Sequence, residues 1–568
     1  MPVQILKHIR ERASQMAYGS AAYNWSLKGE VPERMAVRPV DVWPGDMEAG
    51  RRLCEGALTL EGARLPLGAQ GWAPEGVCEA WMVRMHGFSW LRDLRALSGE
   101  RGMGAVARTH AKMMIGSWNA HYENWHPLAW RMDVTGERLA MWLSAYEFFS
   151  AVEFIEAEDE EFFQDVFFDS VMRQARHLSR IFTHDRREGD QGPGRFKALK
   201  GLLYAGIAFE GCGRWSEQAL GLLEAEADAQ IAGDGAHRSR SPAQLLECLQ
   251  VLLDVRMALR AADIRLPEKI QHGIDRMGLA LRFFRYNDKH LALFNGGQEG
   301  HAEVIDSALR QAGVRGKVLS GLPCSGFERM TLGRTSLMVD CGQGAPWPYD
   351  RHAHAGPLSF EMTYGRERLF VNCGSHPADP AWREALRSTP AHSALSIDAR
   401  NACEIRDEEG RYGGRFQKGR FVRGARRGDV LREDLKHAVL LEAAHDGYEA
   451  LNGFTHKRRL YLSDQGHDVR GEEFLSAAAE PAKALDIAVR FHLHPRVMVS
   501  LICGGREALL RLPGGVGWRF HHSGGALALE DSVYLGQGTQ VRKTKQLVIY
   551  GQSIDKSVKI KWALQREG

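Results

Sequence analysis

Apolar residues recur at helical spacing through roughly the first 310 positions and alternate with polar ones beyond about 320. In RFKALKGLLYAGIAFEG, Phe196, Leu199, Leu202, Leu203 and Ile207 share one helical pattern, and Gly211 with Gly213 stops it. Leu245, Leu246, Cys248, Leu249, Leu252 and Leu253 repeat the pattern, as do Ile274, Met277, Leu281 and Phe284. The connectors GDQGPGR, GDGAHRSRSP and ADIRLP are rich in Gly, Asp and Pro. Successive helices with short connectors predict a helical array or toroid. No fixed-period repeat supports a standard solenoid.

The second half reads as short strands punctuated by turns: TSLMVD, LSFEMTY, RLFVNCG, SALSID, AVLLEAA, RRLYLS, DIAVRFHLH, ALLRL, QLVIY and VKIKWAL. That texture predicts an antiparallel sandwich. Leu358, Phe360, Met362 and Tyr364 alternate with Ser359, Glu361 and Thr363, the pattern of a half-buried strand. Gly365-Arg366-Glu367 turns the chain, and Arg368 to Asn372 returns. The expected class is therefore an α+β multidomain protein, helical over 1–315 and a β-sandwich over 316–568.

Composition narrows the function. Seventy-four basic and 71 acidic residues leave a net charge of +3, too even to argue for nucleic acid. Two local basic clusters, Arg415 to Arg427 and Arg238 with Arg240, suit an acidic partner. Nine scattered cysteines without a CxxC pair favour reduced thiols over a disulfide framework. The N-terminal MPVQILKHIRERASQ has no apolar signal-peptide core, and no run approaches the ~18 apolar residues of a membrane span. The expectation is a cytoplasmic protein.

Four constellations carry candidate chemistry. In HAHAG, His352 and His354 stand two apart, so an extended backbone would turn both to one side at the mouth of the hairpin. With His392 they suit a divalent metal, the oxygen ligand coming from Asn372 at the end of the return strand. Asn372 is a neutral and weaker donor than a carboxylate, and the bland alternative is a structural role for the histidines. The loop GDGAHRSRSPAQ crowds His237, Arg238, Ser239, Arg240 and Gln244 before a helix; Ser241 as N-cap and Pro242 at the first helical position explain it equally well. In SWNAHYENWHPLAWRMD, Trp118 reads as core, whereas Trp125, His126 and Arg131 suit a sugar-lined cleft. In AAHDGYEALNGFTHKRRLYL, Asp446-Gly447 reads as a hairpin turn flanked by His445 and Tyr448, with proton transfer and edge anchoring as competing roles.

Helices followed by strands, HxHxG before SFE…G…LFVNCG, then AHSALSID and HDGY together resemble the heparinase II/III-like family, from FSWLRDL at Phe88 to RFHLHP. The resemblance implies an incomplete (α/α) toroid, an antiparallel β-sandwich, and β-elimination of an acidic polysaccharide, such as a glycosaminoglycan, in a cleft between them. It implies a periplasmic or envelope location as the alternative to the cytoplasm. His352 matches the family's catalytic histidine, His354 and His392 its metal-site histidines, and Asn372 its metal-binding aspartate. The family's Asn-His pair falls at Pro193-Gly194 and Arg195, and its proton-transferring tyrosine at Gln244. Gln cannot exchange a proton near neutral pH.

Two readings follow. A lyase with relocated chemistry would use His352 or His237 as base, Tyr448 as acid, and Arg240 with Arg195 to neutralise the substrate acid. Arg131, Trp125, His126, His445 and Gln244 would bind sugar, with no cofactor required beyond a doubtful structural zinc. The alternative is a glycan-binding protein on a silent lyase scaffold. A third reading, a glycoside hydrolase with paired carboxylates, has Asp133, Glu137 and Glu361 as candidates.

Overall fold

The computed structural model describes residues 14–60, 63–66, 71–151, 157–184, 192–406, 419–481, 483–553 and 555–567. The start of the N-terminal segment, 189–191 of the GDQGPGR connector, and Arg415 lie outside the described residues. Two compact units form: Met1–Ile231 with Glu247–Asp275 and Arg310–Ala312, and Ala232–Leu246 with Arg276–Leu309 and Gly313–Gly568.

The first unit is helical, as the 3.6-residue pattern requires. Its longer elements are α1 (Glu79–Gly87), α2 (Gly104–Tyr122), α3 (Met132–Ser144), α4 (Ala157–His184), α5 (Pro193–Ala208) and α6 (Gly213–Gln230). The helices α7 (Pro242–Ala261), α8 (Glu268–Phe284) and α9 (Ala302–Gln311) each contribute residues to both units. From Phe196 onward almost every α5 side chain is buried, including Lys200, so this helix is enclosed on all sides. Trp118 is buried, and the Arg138 guanidinium lies 3.9 Å from its ring while donating to the carbonyls of His86 and Ala129. A short two-stranded pair, β1 (Ala57–Leu60) with β2 (Ala63–Pro66), interrupts the helices where the sequence pattern gave no strand.

The second unit is built on two antiparallel sheets. One runs in the order β19-β20-β15-β7-β6-β5-β4-β3, with β8 (Leu395–Ile397) also on β15. Its strands are β3 (Gly321–Leu322), β4 (Phe327–Leu332), β5 (Thr335–Asp340), β6 (Phe360–Tyr364), β7 (Glu367–Val371), β15 (Leu485–Leu493), β19 (Ala526–Tyr534) and β20 (Arg542–Ser553). The other runs β11-β12-β13-β14-β21-β18-β17-β16. It comprises β11 (Arg427–Leu435), β12 (Ala438–Tyr448), β13 (Phe454–Ser463), β14 (Asp468–Ala477), β16 (Met498–Ile502), β17 (Glu507–Arg511), β18 (Gly517–Ser523) and β21 (Ser557–Glu567). A short pair, β9 (Glu404–Ile405) with β10 (Phe421–Arg423), stands apart from both sheets.

Inward residues of the two sheets meet in one core. Phe360 stacks on Trp562 at 5.6 Å between ring centres, and Phe370, Phe491 and Phe520 surround them. β12 and β13 alternate buried with part-exposed positions, whereas β5 and β6 are buried throughout. The half-buried expectation for Phe360–Tyr364 is thus corrected. Residues 283–299 of the same unit cover the second face of these strands: Phe284 and Phe294 pack on Phe327, and Arg329 donates to the carbonyls of Phe283 and Arg285.

Candidate functional site

The loop from Asp350 to Ser359, leading into β6, is held by buried groups distant in sequence. Arg240 donates through two nitrogens to the Asp340 carboxylate at 2.5 and 3.2 Å and through Nε to the Ser325 carbonyl at 2.9 Å. Asn295 donates to the Arg240 carbonyl and accepts from the His354 backbone N–H. Arg387 donates to the Ala353 carbonyl, and Ala355 N–H donates back to Arg387. Arg240, Asn295 and Leu358 have φ of +63°, +48° and +58°, conformations that L-residues adopt at a cost. Gly356 is required here, because a Cβ would stand 2.7 Å from the His392 ring.

The HxH pair does not lie on an extended strand. His352 is exposed, whereas His354 is buried with its Nδ1 3.0 Å from His392 Nε2. His392 Nδ1 faces the Ser388 carbonyl at 2.8 Å, which fixes its proton there and leaves Nε2 to accept from His354. Burial, then the neighbouring His392 and Arg387, holds His354 well below the usual histidine range, and burial lowers His392 to about 4. Asn372 is fully buried: its Oδ1 accepts from Ser393 N–H, and its Nδ2 finds no partner among the described residues. Beneath it, Glu361 accepts the N–H groups of Asn372 and Leu293, and burial raises its carboxyl to about 7.

A second buried layer reaches this loop from the opposite sheet. Glu473 on β14 accepts from Arg458 Nε at 2.8 Å, His456 Nε2 at 2.7 Å and Trp562 Nε1 at 3.2 Å. Burial alone would raise its carboxyl; Arg458, His456 and Trp562 outweigh that and hold it at about 2. Arg458 extends the chain by donating to the carbonyls of Leu358 and Ser393. His445 Nε2 meets His456 Nδ1 at 3.1 Å, and its own Nδ1 accepts Gly447 N–H.

Several expected roles are corrected by these surroundings. Tyr448 lies wholly within the core with its hydroxyl on the Leu395 carbonyl, and burial raises its pKa, so it is no acid facing a substrate. His445 is a buried relay member rather than a sugar contact. Asp446-Gly447 does not make the hairpin turn; β12 runs through it, and residues 449–453 turn instead. Arg240 is committed to Asp340, and Arg195 is buried with its Nε on Glu226, so neither presents its charge to an external acid. His237 is buried with Nδ1 2.7 Å from Ser239 Oγ and its ring edge-on to Tyr349, and burial lowers it to about 3. Gln244 is half-buried in the first turn of α7.

In the helical unit, Trp125 is half-buried beside Tyr18. His126, also half-buried, accepts backbone N–H groups of Leu128 and Ala129, which is turn-capping chemistry. Arg131 grips Asp133 and Glu79. The hydrolase candidates are similarly engaged. Asp133 is held ionised by Arg131, and Glu137 is lowered to about 2 because Lys200, Lys197 and Arg92 outweigh its burial. Neither supplies the protonated partner that a carboxylate pair needs.

What reaches solvent is His352 and its rim. Its dense surround, and then the charges of Arg351, Arg383, Arg387 and Arg420, keep the imidazole below the usual histidine range. Arg420 is anchored on Asp350 at 2.6 Å, and its guanidinium lies 6.0 Å from the Trp347 ring, a side chain 69% exposed. Half-buried Tyr349 lies on the same loop, its ring edge-on to His237. Sequence reasoning singled out His352 but missed Trp347, Tyr349, Arg383 and Arg420, although WPYDRHAHAG places two of them within five residues of the histidine.

Comparison with known proteins fits this frame. Residues 108–314 match the heparinase II/III N-terminus and residues 315–563 the heparinase II/III-like C-terminal model. The chain belongs to the heparinase II/III-like family. It is 31% identical over 560 residues to FtsZ-localized protein C of Caulobacter vibrioides, covering 97% of this chain and 93% of that one. Among solved structures it resembles heparinase III (TM-score 0.67, 13% identity, 89% of this chain and 80% of that). It also resembles a mutant of the heparan sulfate lyase HepC from Pedobacter heparinus (TM-score 0.62, 16% identity, 96% and 87%). The chain thus has the fold expected from its sequence, an (α/α) toroid followed by an antiparallel β-sandwich.

The zinc suggested by the family pattern does not suit the donors present. His354 and His392 are joined through a proton, Asn372 Oδ1 is occupied by Ser393, and the free face of that amide is a donor. Among the described residues no three His, Cys, Asp or Glu side chains group as a metal site. No helix among them is long and apolar enough to cross a membrane.

Proposed function

We propose that this protein cleaves an acidic, uronate-containing polysaccharide by β-elimination, with His352 as the base. The observation that carries the reading is a solvent-reaching imidazole near four guanidinium groups, of which Arg387 and Arg420 are paired with Glu384 and Asp350 while Arg351 and Arg383 have no carboxylate partner among the described residues. A uronate carboxylate entering here would have its charge offset, which acidifies the C5 proton. Burial is the main depressor of His352 and the arginines the lesser one; the carboxylate would offset only the arginine part, raising the imidazole's proton affinity to that extent when the substrate is in place. His352 then takes the C5 proton, a C4=C5 double bond forms, and the C4–O bond breaks. The departing oxygen takes a proton from Tyr349, three residues from His352 on the same loop, in place of core-bound Tyr448. Both groups re-equilibrate with water. Exposed Trp347 offers an aromatic face to a sugar ring.

A second reading has a specific basis: Gln244 stands where the family's tyrosine belongs, and the relative from Caulobacter is named for localisation with FtsZ. Under it, the scaffold binds glycan without turnover and shares that association. The product of elimination absorbs in the near ultraviolet, so heparan sulfate, chondroitin and alginate can be assayed directly. An absorbance rise that His352→Ala abolishes while polymer binding persists is the expected result. Binding without any rise, on every polymer bound, would sink the lyase reading and leave the second.

A further inference from the structure

The outer face of the sheet containing β15 and β20 carries a groove of about 1070 Å³ that no family role accounts for. Its floor is made of small residues: Ala488 on β15, Gly551 on β20, and Gly524-Gly525 between β18 and β19. The floor is built rather than incidental, since a Cβ on Gly525 would stand 2.4 Å from the Tyr550 carbonyl oxygen. Tyr550 forms an aromatic wall, 40% exposed, its ring steadied by a 2.6 Å bond from its hydroxyl to Glu530.

The rim is polar and charge-balanced. Lys483 lies 3.4 Å from Asp398, Gln552 donates to Asp486 at 2.9 Å, and Arg490 donates to Ser396 at 2.7 Å. Asp398 and Ala399, at consecutive positions, have φ of +50° and +53°. This strained pair is locked by Asp398, whose backbone N–H donates to the Asp486 carbonyl while its carboxylate accepts Asp486 N–H. Two adjacent non-glycine residues held left-handed beside a groove are what over-determined functional loops look like.

We propose that this groove is a second carbohydrate site, which binds an uncharged oligosaccharide. Hydroxyls both donate and accept, matching a rim where amide, carboxylate and guanidinium alternate within a short reach. An aromatic face accommodates the apolar side of a pyranose ring. A polyanion gains nothing here, because two cations face two carboxylates, whereas near His352 four arginines face the two carboxylates of Asp350 and Glu384. The groove is of a size to hold several sugar units.

Calorimetric titration of the full chain with malto-, cello- and chito-hexaose, and with an oligouronate for contrast, tests the proposal. At least one neutral oligomer should bind and the oligouronate should not compete with it. Tyr550→Ala should weaken that binding tenfold or more, with Tyr550→Trp retaining it, and Gln552→Ala should weaken it independently. Unchanged melting of the variants separates this from misfolding. Binding of no neutral oligomer at millimolar concentration, or binding indifferent to both Tyr550→Ala and Gln552→Ala, overturns it. Neither result bears on the absorbance assay, which reads the His352 site.

Discussion

Replacing Glu473 by Gln probes the buried layer that supports the His352 loop. The substitution is isosteric but removes the one carboxylate that Arg458 contacts among the described residues, leaving there a guanidinium that is 2% exposed with carbonyl partners alone. Breaking one partner of a buried ion pair costs about 3–5 kcal/mol. The titration of Glu473 leads to a similar magnitude. The Glu473 carboxyl is lowered from 4.5 to about 2 in the folded chain. At 1.36 kcal/mol per pKa unit, that shift corresponds to about 3 kcal/mol. Because the folded value is the lower one, this stability is present above the unfolded carboxyl's pKa. It is lost as pH falls from about 4.5 toward 2. Hydrogen exchange of β13 and β14 amides across a denaturant series reports the sandwich separately from the helical unit, avoiding a single two-state assumption. Glu473→Gln should lower their opening energy at pH 7 and flatten the acid slope between pH 4.5 and 2. Adding Arg458→Met should restore part of the loss. A variant that matches the parent at pH 7 and keeps its acid slope refutes the network.

Two further substitutions test the geometry around the loop. Asn372→Asp supplies an anionic oxygen at the side chain that meets Ser393, next in sequence to His392, so if the family's zinc set applies, zinc uptake measured by dialysis and metal analysis should rise from no stoichiometric binding to about one ion per chain; equal zinc in both proteins would refute the donor argument. Arg240→Lys keeps the charge but loses the two-point contact with Asp340, which should cost about 1.5–3 kcal/mol in hydrogen exchange of β5, given the usual worth of a charged hydrogen bond.

The fold was legible because its signals are local. The α5 pattern from Phe196 to Ile207 and the α7 pattern from Leu245 to Leu253 stand on their own sequence, with Pro242 opening α7 as capping chemistry requires. The strands of the sandwich announced themselves by alternation where one face meets water, as in Ala438–Tyr448. Alternation misled at Phe360–Tyr364, since polar residues there are buried by partners from elsewhere: Glu361 receives Leu293 N–H from 68 positions away. It misled again at Asp446-Gly447, where good turn residues sit inside a strand because His445 and His456 pair across it.

The site was legible only where function sits beside its own neighbours in sequence. His352 stood out in HAHAG, but the groups that decide its surroundings lie far off: Asp340 is 100 residues from Arg240, and Leu358 is 100 from Arg458. No spacing rule reads such pairs, so Arg240 and Tyr448 looked available when both are used internally. The pattern of departures then has a direction. Where the resemblance implies a tyrosine and an aspartate, this chain has half-buried Gln244, which exchanges no proton near neutral pH, and buried, neutral Asn372, while arginines and exposed Trp347 stand near the exposed His352. Asp350 and Glu384 pair with Arg420 and Arg387, so the charge left for an incoming anion is that of Arg351 and Arg383, and a substrate carboxylate would rest on these two. The rim at Tyr550, where two cations face two carboxylates, leaves no such surplus, which is why the acidic substrate is proposed for His352 and not for that groove.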